Sequence, residues 1–475
     1  MPFARILRSS ALMGGAQLVV LAAAFVRAKA IAMILGASGV GLIGIFSAFS
    51  GNVASFAGWG LGTSGVRLIA GAPDEQKPAK IAAVRRMGWA LSLLGLALAL
   101  LLFWPVGIAT FASSQYVVEM AIVACAVPCI IASSAWSAVL QSAGKITSLA
   151  KVQIAGALTG LLLGLPAIFL WGSIGIALSL LLAAAVPAFV LWRAARAECK
   201  VFAGLFPESA DLDRLVKLGG AIMLVGWLGQ LSAYLVRLAI VRQEGLDAAG
   251  YYQAAFAISG SLPGFVFAAM GADFFPRVAA AKNESMATKV VERQIQAGLL
   301  LSVPFIAAMI MFKAECVRLL YSPDLDQSAQ LVSWMSWAVY IRIISWPMGF
   351  WLIARGAPAV VMAIESSASL LTVIASTVLL AVYGTIGASI GTLAAAFAYL
   401  AILALLFRLK SGVRFSTSTW QAVAVSAILL GSAQCLGLAE APKWICITFG
   451  AFLTGLSVWG YFKATHSVAI HDDET

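Results

Sequence analysis

This sequence predicts an all-α polytopic membrane protein of about fourteen transmembrane helices. Three observations predict it. The 475 residues are 62% hydrophobic and 11% charged, with mean hydropathy +0.97, whereas soluble domains carry about 25% charged residues. Fourteen apolar stretches approach the ~20 residues that a spanning helix needs. Finally, the 31 Lys and Arg are sorted: twenty-three fall in alternate loops, four in the opposite loops and four inside the apolar stretches. Cytoplasmic loops are enriched in these residues, so the sorting also sets an orientation.

The stretches lie near 11–35, 40–66, 87–112, 117–141, 147–171, 172–192, 219–241, 248–273, 295–313, 329–354, 358–382, 384–407, 420–438 and 443–463. The first follows Arg5 and Arg8, as a signal peptide would. Its apolar run is too long, however, and Arg27 and Lys29 occupy the cleavage region, so it reads as a retained helix. The pair over 147–192 is separated only by Trp171-Gly172-Ser173. The 67–86 loop holds Arg67, Lys77, Lys80, Arg85 and Arg86. The 193–218 loop holds Arg193, Arg196, Lys200, Arg214 and Lys217. The 274–294 loop holds Arg277, Lys282, Lys289 and Arg293. Loops near 113–116, 172–174 and 383–385 hold none, which places both termini in the cytoplasm and requires an even number of spans.

The same sorting accounts for the net charge of +11, so nucleic acid is not an expected partner. Cys125, Cys129, Cys199, Cys316, Cys435 and Cys446 show no disulfide framework, and most lie in apolar segments as small hydrophobes. Cys125 and Cys129 share a helix face, but no His or second Cys pair accompanies them to make a zinc site. His466 and His471 are both in the C-terminal tail, so a histidine proton relay within the membrane is excluded. No glycine run leads into Lys-Ser or Lys-Thr, so there is no P-loop. No cofactor is expected; an ion gradient or membrane potential is the expected source of energy.

The chain repeats weakly. A shift of 209 carries Gly41 onto Gly250, Ser50 onto Ser259 and Gly51 onto Gly260; a shift of 210 carries Arg27 onto Arg237 and Arg67 onto Arg277. Six helices per half in the same orientation make a parallel repeat about an axis along the membrane normal. The expected division is an N-terminal lobe over 1–200, a second over 201–410, and two appended helices with a tail over 411–475. The 43 glycines, as in Gly58-Trp59-Gly60-Leu61-Gly62, serve first for close helix packing.

Four cations sit within the apolar stretches: Arg27 and Lys29 in helix 1, Arg237 in helix 7 and Arg342 in helix 10. A cation facing lipid costs about 2.5–3.5 kcal/mol. A shared central cavity removes that cost and supplies an anion site, with the planar guanidinium suited to a phosphate. Lys29 is about 200° round the helix from Arg27, so one of the two snorkels instead. Arg237, near the outer end, has the same alternative. Glu365 in helix 11 is within reach of Arg342; a buried ion pair and a proton-coupling carboxylate are both open to it. Asp273, near a helix end, is the other acidic candidate, and Glu119 stands in a similar place. Trp59, Gln230, Tyr234, Tyr251, Tyr252, Gln253 and Trp337 are candidates for stacking on and hydrogen-bonding to sugars, against the plainer reading of packing and interfacial belts.

The chain resembles Wzx-type lipid-linked oligosaccharide flippases of the multidrug/oligosaccharidyl-lipid/polysaccharide superfamily, in the branch serving enterobacterial common antigen and O-antigen. The resemblance covers most of the chain, more by pattern than by identity. It rests on Lys29 with Gly36-Ala37-Ser38-Gly39-Val40-Gly41, on Ala57-Gly58-Trp59-Gly60 with Arg67, and on Leu215, Lys217 and Gly219. Phe275-Pro276-Arg277, Ile353-Ala354-Arg355 followed by Glu365, Arg342 at a family lysine position, Trp334 and Gly349 complete it. Gln141 stands where a basic residue is common, and Ala338-Val339 replaces a Gly-Asp pair. The resemblance implies a V-shaped two-lobe fold in a bacterial inner membrane. It implies a monomeric transporter, not an enzyme, that turns undecaprenyl-pyrophosphate-linked glycan from the cytoplasmic to the periplasmic leaflet beside glycan polymerase and ligase machinery. The rivals are a multidrug/cation antiporter of the same superfamily, a lipid II flippase, and a glycan polymerase or ligase. The antiporter wants an acidic core. The polymerase or ligase wants a large outer loop, whereas the longest here is near 314–328.

Overall fold

The computed structural model describes the backbone of residues 2–196, 209–439 and 442–456, with side chains from residue 13 onward except 209–218, 221, 222, 225, 262–273, 275, 276 and 358. The described regular structure is helical throughout. In order, the helices are α1 (Pro2–Ala57), α2 (Leu61–Ala70), α3 (Lys77–Phe111), α4 (Val117–Ala124), α5 (Ala126–Ser142), α6 (Ile146–Leu162), α7 (Gly164–Arg196), α8 (Ser209–Glu244), α9 (Leu246–Ala280), α10 (Glu284–Met311), α11 (Lys313–Leu320), α12 (Ser328–Ala354), α13 (Pro358–Ser411) and α14 (Thr417–Leu438). A 3₁₀ turn, Pro323–Leu325, precedes α12, and an apolar helix, Lys443–Leu456, follows α14.

Among the described residues, eight helices are long and apolar enough to cross a membrane. Two of them are too long to cross once. The 45 residues of Met13–Ala57 and the 53 of Ala359–Ser411 would each extend far beyond a bilayer core about 30 Å thick. Each is broken at one glycine, Gly36 (φ 66°, ψ −157°) and Gly384 (φ 63°, ψ −153°), and α7 is broken likewise at Gly172 (φ 56°, ψ −120°). This backbone region is open almost only to glycine. Each break falls where the sequence separates two spans, at 35/40, 171/172 and 382/384. So α1 and α13 each supply two crossings, and Ile146–Leu162 with the start of α7 supplies one before Gly172.

These turns share a local pattern, Gly36-Ala37-Ser38-Gly39, Gly172-Ser173-Ile174-Gly175 and Gly384-Thr385-Ile386-Gly387. The first glycine reverses the chain. The second, one turn into the returning helix, lets that helix close on the outgoing one: a side chain on Gly175 would run into the carbonyl of Ala167, and one on Gly387 into the carbonyl of Leu379. Gly391 meets Ser376 in the same way. Hydrogen-bonded helix thus persists to within a residue of each reversal, which matters where lipid offers no partner to a bare N–H or C=O.

The chain forms two compact units. Unit 1 comprises Met1–Gly250 and Leu320–Asp324; unit 2 comprises Tyr251–Leu319 and Leu325–Thr475. Within unit 1, α8 packs against α1, α2 and α3, so the helix bearing Arg237 and Tyr234 belongs with the first seven helices. Here the sequence repeat has a physical counterpart. Gly41 and Gly250, equivalent under the 209-residue shift, sit at one contact: a Cβ on Gly41 would stand 2.6 Å from the Leu246 carbonyl oxygen, and one on Gly250 would run into the Ala37 carbonyl. In this unit the amphipathic α2 packs Leu61 and Ile69 with Val84, Trp136, Val139 and Leu140. Unit 2 holds an aromatic run, Trp351–Phe407–Phe415, buried at its first two rings, with centroid separations of 4.5 and 4.7 Å. Buried Glu292 fixes the start of α14 by accepting from the Ser416 N–H, and Ser416 caps that helix at Thr419.

Gly387→Val is expected to abolish the α13 hairpin and with it recovery of folded protein. Gly384→Ala should cost about 1–3 kcal/mol from backbone strain alone, seen as an earlier unfolding transition in detergent. Equal stability of Gly384→Ala and the parent would contradict the turn described.

Candidate functional site

Arg27 lies on the first crossing of α1, about two-thirds of the way along it towards Gly36. It lines a cavity of about 470 Å³ inside unit 1, bounded by α1, α5, α6 and α7. The cavity exists because its walls are cut away. Gly156 faces Pro187 so closely that no side chain fits between them, and a Cβ on Gly160 would stand 3.2 Å from the Arg27 Nη1. Pro187, inside α7, removes a backbone donor on the same wall. Polar groups line the space: Gln17 donates to Gln153 at 3.3 Å, and Ser133 and Ser137 sit one helical turn apart on α5. The Ser133 Oγ is buried and hydrogen-bonds to nothing in the protein. Among the described residues, no carboxylate lies within ion-pair distance of Arg27. A half-buried guanidinium, an orphan hydroxyl and two amides therefore face one space without an acid to neutralise them.

The other sequence-predicted cations are placed differently. Lys29 is half-buried and lines no part of this cavity, as expected from its angle to Arg27. Arg237 is 5% exposed and donates through Nη1 to the Ala233 carbonyl at 2.7 Å; it too is absent from the Arg27 cavity. Arg342 in unit 2 donates through Nη2 to both oxygens of Glu365, at 3.1 and 3.2 Å. Its guanidinium also lies 4.6 Å from the centre of the Tyr399 ring. The Tyr399 hydroxyl donates to Glu365 Oε1 at 2.5 Å. Of the two possibilities open to Glu365, the ion pair is thus observed. Asp273 lies outside the described side chains. Glu119 is buried and accepts from the Ser173 hydroxyl at 2.7 Å.

The aromatic and amide candidates divide. Trp59 adopts a left-handed backbone (φ 49°), and its ring lies against the bare Gly220, about 3.4 Å from where a Cβ would be. Tyr234 is buried, and its hydroxyl shares a 2.6 Å hydrogen bond with Thr110. Its ring lines an apolar crevice of about 270 Å³ with Phe49, Phe56 and Trp227. Tyr252 is buried with its hydroxyl 3.5 Å from Thr392. Trp337 stacks edge-on to Tyr340 at 5.7 Å. These rings are engaged in packing, whereas Gln230 is exposed and Tyr251 and Gln253 half-exposed. Gln230 is held through its carbonyl, which accepts from Asn52 at 3.2 Å.

Sequence reasoning did not single out Gln17, Ser133, Ser137, Gln153 or Tyr399. A signal was present for some of them: Gln153, Gly156 and Gly160 recur at 3- and 4-residue spacing on one face of α6, opposite a serine pair on α5.

A family model described as polysaccharide biosynthesis protein matches residues 6–282, more than half of the chain. The chain belongs to that family. No curated protein matches it. Among solved structures it is similar to the lipid II flippase MurJ in an inward closed conformation, with a TM-score of 0.75 and 15% identity over 97% of this chain and 99% of that one. It is also similar to an inward-facing multidrug-resistance MATE transporter of the MOP superfamily, with a TM-score of 0.66 and 14% identity over 83% and 94%. A third is a MOP superfamily transporter from Pyrococcus furiosus, with a TM-score of 0.57 and 13% identity over 85% and 95%. Family and fold together make the chain a multi-pass membrane protein of the polysaccharide biosynthesis family with the fold of these transporters.

Thr110→Val is expected to destabilise the protein by about 1–3 kcal/mol by orphaning the buried Tyr234 hydroxyl, while Tyr234→Phe with Thr110→Val recovers most of that loss. A double-mutant cycle on thermal unfolding in detergent checks this; additive losses would show the pair to be uncoupled.

Proposed function

We propose that this transporter carries undecaprenyl-pyrophosphate-linked oligosaccharide from the cytoplasmic to the periplasmic leaflet of a bacterial inner membrane by alternating access, with both termini in the cytoplasm. One observation carries the reading: the Arg27 guanidinium faces a largely apolar cavity at membrane depth that holds two amides and two serines but no carboxylate. A charge held there uncompensated has a cost, and a ligand of opposite charge offsets it. A diphosphate presents several oxygens to the fork of donors and accepts from Ser133 as well. The match to a polysaccharide biosynthesis family and the likeness to a lipid II flippase support a polyprenyl-linked glycan over other anions. The same observation argues against a cation antiporter, since an unpaired guanidinium repels a cationic drug. Arg342, Arg237 and Lys29 belong to the reading as supporting cations, Arg342 with its charge already answered by Glu365.

In proteoliposomes holding a polyprenyl-diphosphate disaccharide, appearance of the sugar on the far leaflet, read by an impermeant glycosidase, measures the activity directly. Arg27→Ala is expected to weaken cargo binding by about 1.5–3 kcal/mol, roughly ten- to a hundredfold, with Arg27→Lys falling between. Unchanged flipping by Arg27→Ala, or extrusion of a cationic dye in place of the lipid, would overturn the proposal.

A further inference from the structure

Unit 1 gathers its charge at one end. Residues 58–88, 141–152 and 189–196 carry nine Lys and Arg against two acids, Asp74 and Glu75, and Asp74 is held by Lys77. One apolar cluster ties these stretches together: Ile69 of α2, Val84 of α3, Leu140 of α5, Leu149 of α6, and Leu191 and Ala195 of α7. The cations flank the cluster in sequence. Arg67 is two residues from Ile69, Arg85 and Arg86 follow Val84, and Arg193 and Arg196 stand either side of Ala195. Packing the cluster therefore brings like charges to a common rim, which is unfavourable until something of opposite charge meets them.

The rim has a second, ordered layer. The apolar run of α3 begins just after Arg85 and Arg86, and that of α7 ends just before Arg193. Across each boundary a ring stands four residues from an arginine: Arg85 with Trp89, Phe189 with Arg193, and Trp192 with Arg196. Residues four apart share a helix face. The arginine comes first on α3 and the ring first on α7, so on both helices the ring lies on the apolar side of the boundary and the arginine on the polar side. One pair is closed: the Arg196 Cζ lies 3.9 Å from the centre of the Trp192 ring, which meets the Phe189 ring at 5.7 Å. Trp89 is 52% exposed and Phe189 57%, and Arg193 and Arg196 are exposed. Unit 2 uses the same spacing differently. Its Trp351 stands four residues before Arg355, but the ring is buried and Arg355 is paired with Glu284.

We propose that this end of unit 1 is a binding surface for anionic glycerophospholipid, with headgroup phosphates on the arginines of α3 and α7 and acyl chains along Trp89 and Phe189. The fork of a guanidinium takes two phosphate oxygens. The exposed ring one turn farther into the apolar run meets hydrocarbon, as aromatic residues do at headgroup level. A free phosphate would use the arginine and leave the ring uncovered. An acidic protein surface also offers nothing to a ring on the hydrocarbon side of the charge. A headgroup of net negative charge is favoured over a zwitterion because the excess of cations acts on it together. The surface serves the membrane around the carrier and not its cargo, so this inference stands apart from the cargo reading.

The test places the full-length chain in phosphatidylcholine vesicles with a trace of spin-labelled phosphatidylglycerol or spin-labelled phosphatidylcholine, and measures the fraction of label immobilised by the protein. The parent should hold phosphatidylglycerol about fivefold more strongly than phosphatidylcholine, the scale of one cation at an anionic headgroup. Salt at about 0.5 M should bring the two close to parity. Arg85→Gln with Arg86→Gln, and separately Arg193→Gln with Arg196→Gln, should each roughly halve the preference. Each pair leaves seven of the nine cations, which keeps the basic-loop signal for orientation. Should a glutamine pair fail to fold, the same pair as lysines, which keeps the charge and loses the fork, should still lower the preference. Arg408→Gln with Lys410→Gln in unit 2 should lower it less than either pair. Equal immobilisation of the two lipids by the parent would show that no anionic site exists, and an equal loss from the unit 2 pair would show only the general charge of the protein; either would overturn the proposal. Displacement of the label by polyprenyl diphosphate but not by unlabelled phosphatidylglycerol would overturn it too, by giving these arginines to the cargo.

Discussion

Hydrocarbon cannot hydrogen-bond a peptide group, and most of this fold follows from that constraint. A chain that crosses repeatedly must reverse with as little unpaired backbone as geometry permits. At Gly36, Gly172 and Gly384 the reversal takes one residue in a conformation that L side chains resist. The helices on either side then run so close that the glycine three residues later has a carbonyl where a side chain would be, at Gly175 and Gly387. Small residues let backbones approach where there is no water to drive helices together. The contact of Gly41 and Gly250 inside unit 1 applies the same device between two turns related by the sequence repeat.

The same low-dielectric surroundings that forbid bare amides set the terms for charge. Four basic side chains sit at membrane depth, and those whose surroundings are described resolve the cost in distinct ways. Arg237 is buried and turned back onto a carbonyl of its own helix. Arg342 is answered by a carboxylate that a tyrosine also supports. Arg27 has amides and hydroxyls about it, none of which cancels its charge. Polar neutral surroundings make a guanidinium tolerable without satisfying it, which is the condition an anion site needs. That difference separates Arg27 from the other arginines, although all stand in similar apolar stretches of sequence.

The spans were legible because hydropathy and basic-loop alternation are summed over many residues, and local packing does not disturb such sums. The Arg342–Glu365 pair was legible because two helices joined by a short turn must bring their facing residues together. Tyr399 was not, since its approach to Glu365 depends on how α13 folds back at Gly384. Tyr234, Tyr252 and Trp59 show where residue type leaves the role open. An aromatic ring with a polar tip serves packing and sugar binding equally well, and the choice is made by a partner distant in sequence: Thr110, Thr392 and Gly220 respectively. The Arg27 cavity was invisible for a related reason. Its volume is defined by what is missing at Gly156 and Gly160, and in a chain with 43 glycines such omissions do not stand out.

Arg27 and Arg342 differ in a way that bears on direction. Under the proposed cargo, a diphosphate meeting Arg27 would displace no protein group, because no acid among the described residues is there to displace. The same diphosphate meeting Arg342 has to compete with Glu365, a rival already desolvated and bonded through both oxygens. The first encounter needs only the lipid, whereas the second needs the carboxylate to give way. Under the proposed diphosphate cargo, two cationic sites of equal charge but unequal occupancy would impose an order on binding. Such an order is what a carrier requires if it is to move an anionic headgroup through a bilayer without holding it so tightly at any one point that release becomes the slow step.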